Sequence, residues 1–293
     1  MGARFIIAIA AILTASPAPA IDTGYVLISK RYAEPPPLSL IEKRPEDQAL
    51  LGARFSTAAN NRAGELLGHT FRLHERILGP DDAPRPVIEA ALADGHLIYI
   101  VDLARDDLLS IADAPGSSNA VILNVRAPDD DLRGKECRRN VFHLAPSRAM
   151  RADAIGQYLV WKKWRRWFLV SGKHPEDRAF SASIERTAKR YGARIVARRE
   201  YKLETGSRRV ETGHQQIQTQ MPMLTRVSKE HDVVIVADER ESFGLYLPYR
   251  TALPRPVVGS YGLVASAWHR SYEQYGAMAI QGGFETFAGR ERV

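Results

Sequence analysis

Apolar residues in this chain fall into short dense runs, separated by stretches in which they recur every three or four positions. Tyr25-Val26-Leu27-Ile28 is the first run after the N-terminal region. Four consecutive apolar residues between polar flanks predict a buried strand. A proline-rich connection, Pro35-Pro36-Pro37, leads to a helix with Leu51, Phe55 and Ala58 on one face. Asn60, Asn61 and Gly64 should stop it, because asparagine and glycine tolerate left-handed backbone at a helix C-terminus. The next strand is expected at Thr70–Leu73, followed by a helix around Pro86–Leu92, strand Leu97–Val101, helix Asp106–Ala114 and strand Ala120–Asn124. Strands that alternate with helices build a parallel sheet.

The segment Phe142-His143-Leu144-Ala145-Pro146-Ser147 interrupts this rhythm before a long helix in which Met150, Ala154 and Tyr158 share a face. A second βαβ series follows. It has strand Trp167–Val170, a helix with Phe180, Ile184, Ala188 and Tyr191 on one stripe and Gly192 as its stop, and strand Arg194–Ala197. A helix carrying Ile217, Met221 and Leu224, strand Val233–Val236, a short strand at Pro256–Gly259 and a last helix near Ala267–Ile280, ending at Gly282-Gly283, complete the pattern. The expected fold is therefore α/β: two Rossmann-like lobes with parallel sheets and a hinged cleft. Lobe 1 spans 21–144 and lobe 2 spans 145–263, with 264–293 returning towards lobe 1. No internal repeat or low-complexity block is evident.

The first twenty residues change the compartment expected. Arg4, the apolar run Phe5–Leu13 and the small-residue stretch ending Ala18-Pro19-Ala20 predict a secretory signal peptide cleaved after Ala20. The apolar run is shorter than the ~20 residues that span a bilayer. A soluble periplasmic chain is thus expected. The formal charge is +7, reduced by one when Arg4 leaves with the signal. Outside the cytoplasm that excess suits an anionic small solute or acidic lipid headgroups better than nucleic acid. The one cysteine, Cys137, has no internal partner, and no CxxC or HExxH spacing suggests a metal.

Doubly wound lobes gather their ligand-facing loops at the carboxyl ends of the strands, where helix N-termini and unpaired amides converge. The candidate ligand residues are accordingly Asp102, Arg105, Asn124, Arg126, His174, Arg178, Asp238, Glu239 and Tyr261, with Lys173 beside them. Guanidinium forks from several strands would grip a carboxylate bidentately. The segment Trp161-Lys162-Lys163-Trp164-Arg165-Arg166-Trp167 interleaves bases with aromatics, as membrane-interface or nucleic-acid surfaces do. Since a helix ends and a strand begins there, the tryptophans are expected to be buried and the bases solvated. Sequence signatures of hydrolases, phosphate-binding loops and dinucleotide folds are absent, so neither catalysis nor a cofactor is expected.

Several stretches resemble one family. Gly52-Ala53-Arg54-Phe55, Ala59-Asn60-Asn61, Gly64, Leu67-Gly68 and Leu73, then Phe142, Ala145-Pro146-Ser147 and Ala154, are similar to branched-chain amino-acid-type substrate-binding proteins. The resemblance covers nearly the whole mature chain and implies a type I periplasmic binding fold that delivers a small-molecule solute to an inner-membrane ABC permease. Ala145–Met150, Val236–Glu239, Leu247–Tyr249 and Pro254–Gly259 further resemble the subgroup associated with PQQ-dependent alcohol dehydrogenase systems. That subgroup would imply pyrroloquinoline quinone or an alcohol-derived acid as ligand.

Two departures bear on the ligand. Amino-acid binders of the family carry a glycine- and serine-rich loop where this chain has Asp102-Leu103-Ala104-Arg105, and a tyrosine-glycine pair where it has Asp177-Arg178-Ala179-Phe180. Full members also continue beyond the last helix, so a chain stopping at Val293 is expected to lack strands of both lobes. An extracytoplasmic sensor of the same fold is the main alternative. A periplasmic enzyme would have to use Asp102, His174 and Asp238.

Overall fold

The computed structural model describes residues 20–33, 47–202, 213–266, 269, 272 and 276–289. All but Ala20 of the expected signal segment, the Pro35–Pro37 run and part of the expected helix at Ala267–Ile280 lie outside those residues. The elements are β1 (Asp22–Lys30), α1 (Gln48–Gly64), β2 (Thr70–Leu78), α2 (Arg85–Ala93), β3 (Ile98–Asp102), α3 (Arg105–Ala112), β4 (Val121–Asn124) and β5 (Val141–His143). Then come α4 (Arg148–Trp161), β6 (Arg166–Ser171), α5 (Pro175–Tyr191), β7 (Arg194–Glu200), α6 (Gly213–Leu224), β8 (Val233–Ala237), β9 (Val257–Gly259) and α7 (Ala277–Ala288).

The strands form two sheets, ordered β2-β1-β3-β4-β5 and β7-β6-β8-β9. Every pairing is parallel. Parallel sheets bury both faces, and β8 shows it: Val233-Val234-Ile235-Val236-Ala237 is buried at every position. Because side chains alternate across a strand, lobe 2 has two cores. Trp167, Leu169, Val233 and Ile235 pack with Phe180 and Ile184 of α5 on one face. Phe168, Val170, Val234 and Val236 pack with Met221 and Phe243 on the other. In lobe 1, Val26, Ile28, Tyr99, Val101 and Ile122 pack against Ile88 of α2 and Leu108 and Ile111 of α3.

Three elements depart from the expected pattern, each for a packing reason. Strand β2 runs on to Leu78 because it pairs with β1 along its whole length, from Asp22↔Thr70 to Lys30↔Leu78. Phe142 belongs to a strand, β5, which borrows its order from β4 across an edge too short to show a run of its own. Helix α7 passes through Gly282-Gly283 instead of stopping there. A Cβ at Gly283 would lie 3.3 Å from the Phe55 ring, so the glycine lets α7 approach α1. Phe55 then meets Phe284 edge-on at 5.6 Å and Phe287 at 5.8 Å.

Candidate functional site

The chain leaves β1 and β3 in opposite directions across the first sheet, and β6 and β8 likewise across the second. Such switch points leave a crevice at the carboxyl ends of the strands where helix N-termini expose free amides. In this chain side chains already occupy both.

In lobe 1 the occupant is Tyr32, just past β1. Its hydroxyl accepts a hydrogen bond from the Ala104 amide, at the start of α3, at 2.7 Å and donates to Asp107 Oδ2 at 2.6 Å. Burial and the Asp107 bond push the phenol well above the ordinary tyrosine range, so it stays protonated. Lys30 reaches the same Asp107 at 3.2 Å. Asp102 accepts from Ser29 at 2.7 Å and from Arg126 Nε at 2.8 Å, and the Arg126 guanidinium lies over the Tyr32 ring at 5.2 Å. Arg105 grips Asp131, 2.8 Å from Nη2, and also Asp106. Bonding to Arg105 holds the Asp131 carboxyl below the usual range.

In lobe 2 carboxylates fill the crevice. Asp177 accepts from the Glu239 amide at 2.6 Å, from Arg240 at 3.2 Å and from His174 at 3.0 Å. Gly172 makes this possible, since a Cβ there would sit 2.2 Å from Asp177 Oδ2. Burial raises the Asp177 pKa against the pull of those amides. Asp238 accepts from the amides of Ser242, Phe243 and Gly244 at 2.8, 2.8 and 2.6 Å. Tyr261 lies against Gly244, where a Cβ would meet its ring at 2.2 Å. The turn beside it demands glycine too: Gly259 has φ +125°, and a Cβ would lie 2.2 Å from the Val236 carbonyl oxygen.

Between the lobes sits Arg148, the first residue of α4 and only 6% exposed. It donates to Asp129 of lobe 1 and to Glu239 of lobe 2, both at 2.6 Å. Burial opposes its charge, but the two carboxylates outweigh that and hold it above the ordinary arginine range. Arg151 bonds the other oxygen of Glu239. Asp130 accepts from the Ala149 amide at 2.8 Å and from Ser183 of α5 at 3.0 Å. An ionic seam thus joins the two halves.

The residues expected at the ligand therefore have diverse roles. Asp102 and Arg126 are brought together, and Arg105 is bound to its neighbours. Asn124, fully buried, accepts from the Arg126 and Ala127 amides and donates to Ala127 O, shaping the turn after β4. His174 starts α5, and Arg178 is exposed, 4.0 Å from Glu200. Glu239 belongs to the seam. No hydrogen bond or ion pair links Asp102, His174 and Asp238 among the described residues. Sequence reasoning missed Tyr32, Arg148 and Asp129. The run Asp129-Asp130-Asp131, facing arginines just past the lobe boundary, was the available signal.

Three cations at these carboxyl ends have no carboxylate partner among the described residues: Arg31 after β1, Lys173 after β6 and Arg240 after β8. Cavities of about 430 and 320 Å³ lie elsewhere, the first beside Asn61 and His69, the second beside Pro222 and Leu253. Among the described residues no group of three metal-binding side chains occurs.

Residues 48–228 match the model of a family described as periplasmic binding protein. Compared with curated protein sequences, the chain has no match. Among solved structures it is similar to an ABC transporter substrate-binding protein from Desulfitobacterium hafniense in complex with leucine. They share 15% identity over 93% of this chain and 78% of the other, with a TM-score of 0.64. A periplasmic ligand-binding protein of a branched-chain amino-acid ABC transporter from Burkholderia xenovorans is 14% identical over 93% and 73%, with a TM-score of 0.66. A solute-binding protein from Rhodopseudomonas palustris, in complex with 3,4-dihydroxybenzoic acid, is 12% identical over 92% and 75%, with a TM-score of 0.58.

Proposed function

Since the chain belongs to the periplasmic binding protein family, we propose that it is a non-catalytic periplasmic component of an ABC importer that carries a small anionic solute to an inner-membrane permease. The observation that carries this is the pair of switch points, with Arg31, Lys173 and Arg240 at their rims left without a carboxylate partner among the described residues. An incoming carboxylate supplies the partner that these cations lack.

A branched-chain amino acid is disfavoured by the same geometry. Its carboxylate would need the free amide at the start of α3, and Tyr32 already bonds that amide. An aromatic acid is the favoured class, since cations already stack on an aromatic ring here: Lys30 and Arg126 lie 5.6 and 5.2 Å over Tyr32. The Rhodopseudomonas palustris relative is bound to an aromatic acid. Pyrroloquinoline quinone, an aromatic polyacid, or an acid derived from alcohol oxidation fits this description and the resemblance to quinoprotein-associated members.

The test is a thermal-shift and calorimetric screen of the chain from Ile21 onward against pyrroloquinoline quinone, aromatic and aliphatic carboxylates, and branched-chain amino acids. A ligand at 100 times its Kd stabilises the native state by about 2.7 kcal/mol. A selective shift with an acid, lost in the double variant Lys173→Ala/Arg240→Ala, supports the proposal. A shift with leucine or isoleucine that survives the double variant overturns the anion assignment.

A further inference from the structure

The amino-terminal edge of the second sheet, opposite the cleft, presents a different surface. Helices α4, α5 and α6 end there and β6, β7, β8 and β9 begin there. The strand starts are tied together: the Arg165 and Arg166 amides both donate to Asp232, and Arg165 Nη1 reaches the Tyr191 and Gly192 carbonyl oxygens at 3.2 Å. Lys162, Lys163, Arg165, Lys189, Arg194 and Lys229 are all exposed on this edge, and none has a carboxylate partner among the described residues. Glu230 and Asp232 are spent on Arg166.

Within this field stands an aromatic group that the sequence expectation buried. Trp167 is buried and Trp164 half-buried, but Trp161 is 71% exposed. Its ring is 5.9 Å from Tyr158, and the Lys162 ammonium lies 4.5 Å over Trp161 and 5.7 Å from Tyr158. An exposed indole beside a phenol and lysines is the arrangement that settles at headgroup depth in a bilayer. Lys163 turns the chain at φ +63°, a conformation that favours glycine, yet a charge is kept there.

Complementing the helix C-termini does not account for this charge. The first four strands of lobe 1 share this order, yet there α2 and α3 end in Asp94 and Asp113, and α1 brings one base, Arg62, into its last turn. The denser cluster of bases, a basic pole, lies at the edge of the second sheet.

We propose that this pole, with Trp161 at its tip, is a docking surface for an anionic phospholipid bilayer. Nucleic acid also stacks on aromatics beside cations. The exposed apolar face of α4, which continues from Trp161 through Tyr158 to Met150, instead suits insertion among lipid headgroups.

The test is co-sedimentation of the chain from Ile21 onward with vesicles of phosphatidylcholine alone and with 40% phosphatidylglycerol, as roughly chosen to give a strongly negative surface. Binding is expected only to the acidic vesicles, about tenfold weaker in 0.5 M than in 0.05 M salt. Lys162→Glu/Lys163→Glu should lower it at least about tenfold without changing the melting temperature, since both side chains are exposed. Trp161→Ser should weaken it less and abolish the blue shift of tryptophan emission on vesicle addition. Failure to bind acidic vesicles at low salt, equal binding to neutral ones, or a charge-reversed variant that binds like the wild type overturns the proposal. So does displacement from vesicles by an equal charge of duplex DNA, which would make the pole a general polyanion surface.

Discussion

Two sheets of like strand order close their switch points with different chemistry. In lobe 1 a neutral hydroxyl, Tyr32, takes the amide at the start of α3, and the carboxylates of Asp102, Asp107 and Asp131 are left for Arg126, Lys30 and Arg105. In lobe 2 the carboxylates themselves take the amides: Asp177 and Asp238 accept five backbone N–H groups between Glu239 and Gly244. The Lys173 and Arg240 side chains are then without a carboxylate partner among the described residues. Topology dictates where free amides accumulate, but the group that satisfies them decides which charges remain for a ligand.

The strongest way to break the comparison is at the residue that joins its two halves. Arg148→Ala strands Asp129 and Glu239 without their shared partner and should cost about 3 kcal/mol, read as a lowered urea midpoint. The double variant Arg148→Ala/Glu239→Ala should cost less than the sum of the two single changes. Asp238→Ala removes the acceptor for three amides, two of them buried, and should cost about 2 kcal/mol, with faster amide exchange over 242–244.

Tyr32→Phe should cost about 1 kcal/mol, and it sharpens the contrast because it frees the Ala104 amide. Leucine, expected to give no signal with the wild type, should then produce a measurable calorimetric signal if the hydroxyl is what excludes it. The smallest effect is in the pH response. Asp177 has a raised pKa, so its contribution to stability is full in acid and fades as pH rises through that value. Asp131 has a lowered pKa, so its contribution is present above the ordinary aspartate range and is lost as pH falls below it. Hydrogen exchange followed from pH 6 to pH 3 should show the segment around Arg105 and Asp131 loosening while the segment around Asp177 tightens relative to it.

Much of the fold was legible because dense apolar runs mark strands buried on both faces. Val233–Ala237 and Trp167–Val170 could hardly be anything else. Strand β5 and the far end of β2 were not legible, since pairing with a neighbour rather than local pattern makes them strands. The loops of the cleft were located from topology. The partners inside them were not: Glu239 meets Arg148 across 91 positions, and Ser29 meets Asp102 across 73.

The sequence by itself determined the α/β alternation, the lobe-like halving of the pattern and the excess of positive charge, because these depend on local periodicity and composition. Only the tertiary structure decided which charges were already spent. At the cleft Asp129 and Glu239 were matched to Arg148 and Asp131 to Arg105, whereas at the amino-terminal edge of the second sheet Lys162, Lys163, Arg165, Lys189, Arg194 and Lys229 have no carboxylate partner among the described residues. Pairing depends on distance in space, and hydrophobic periodicity carries no record of that distance.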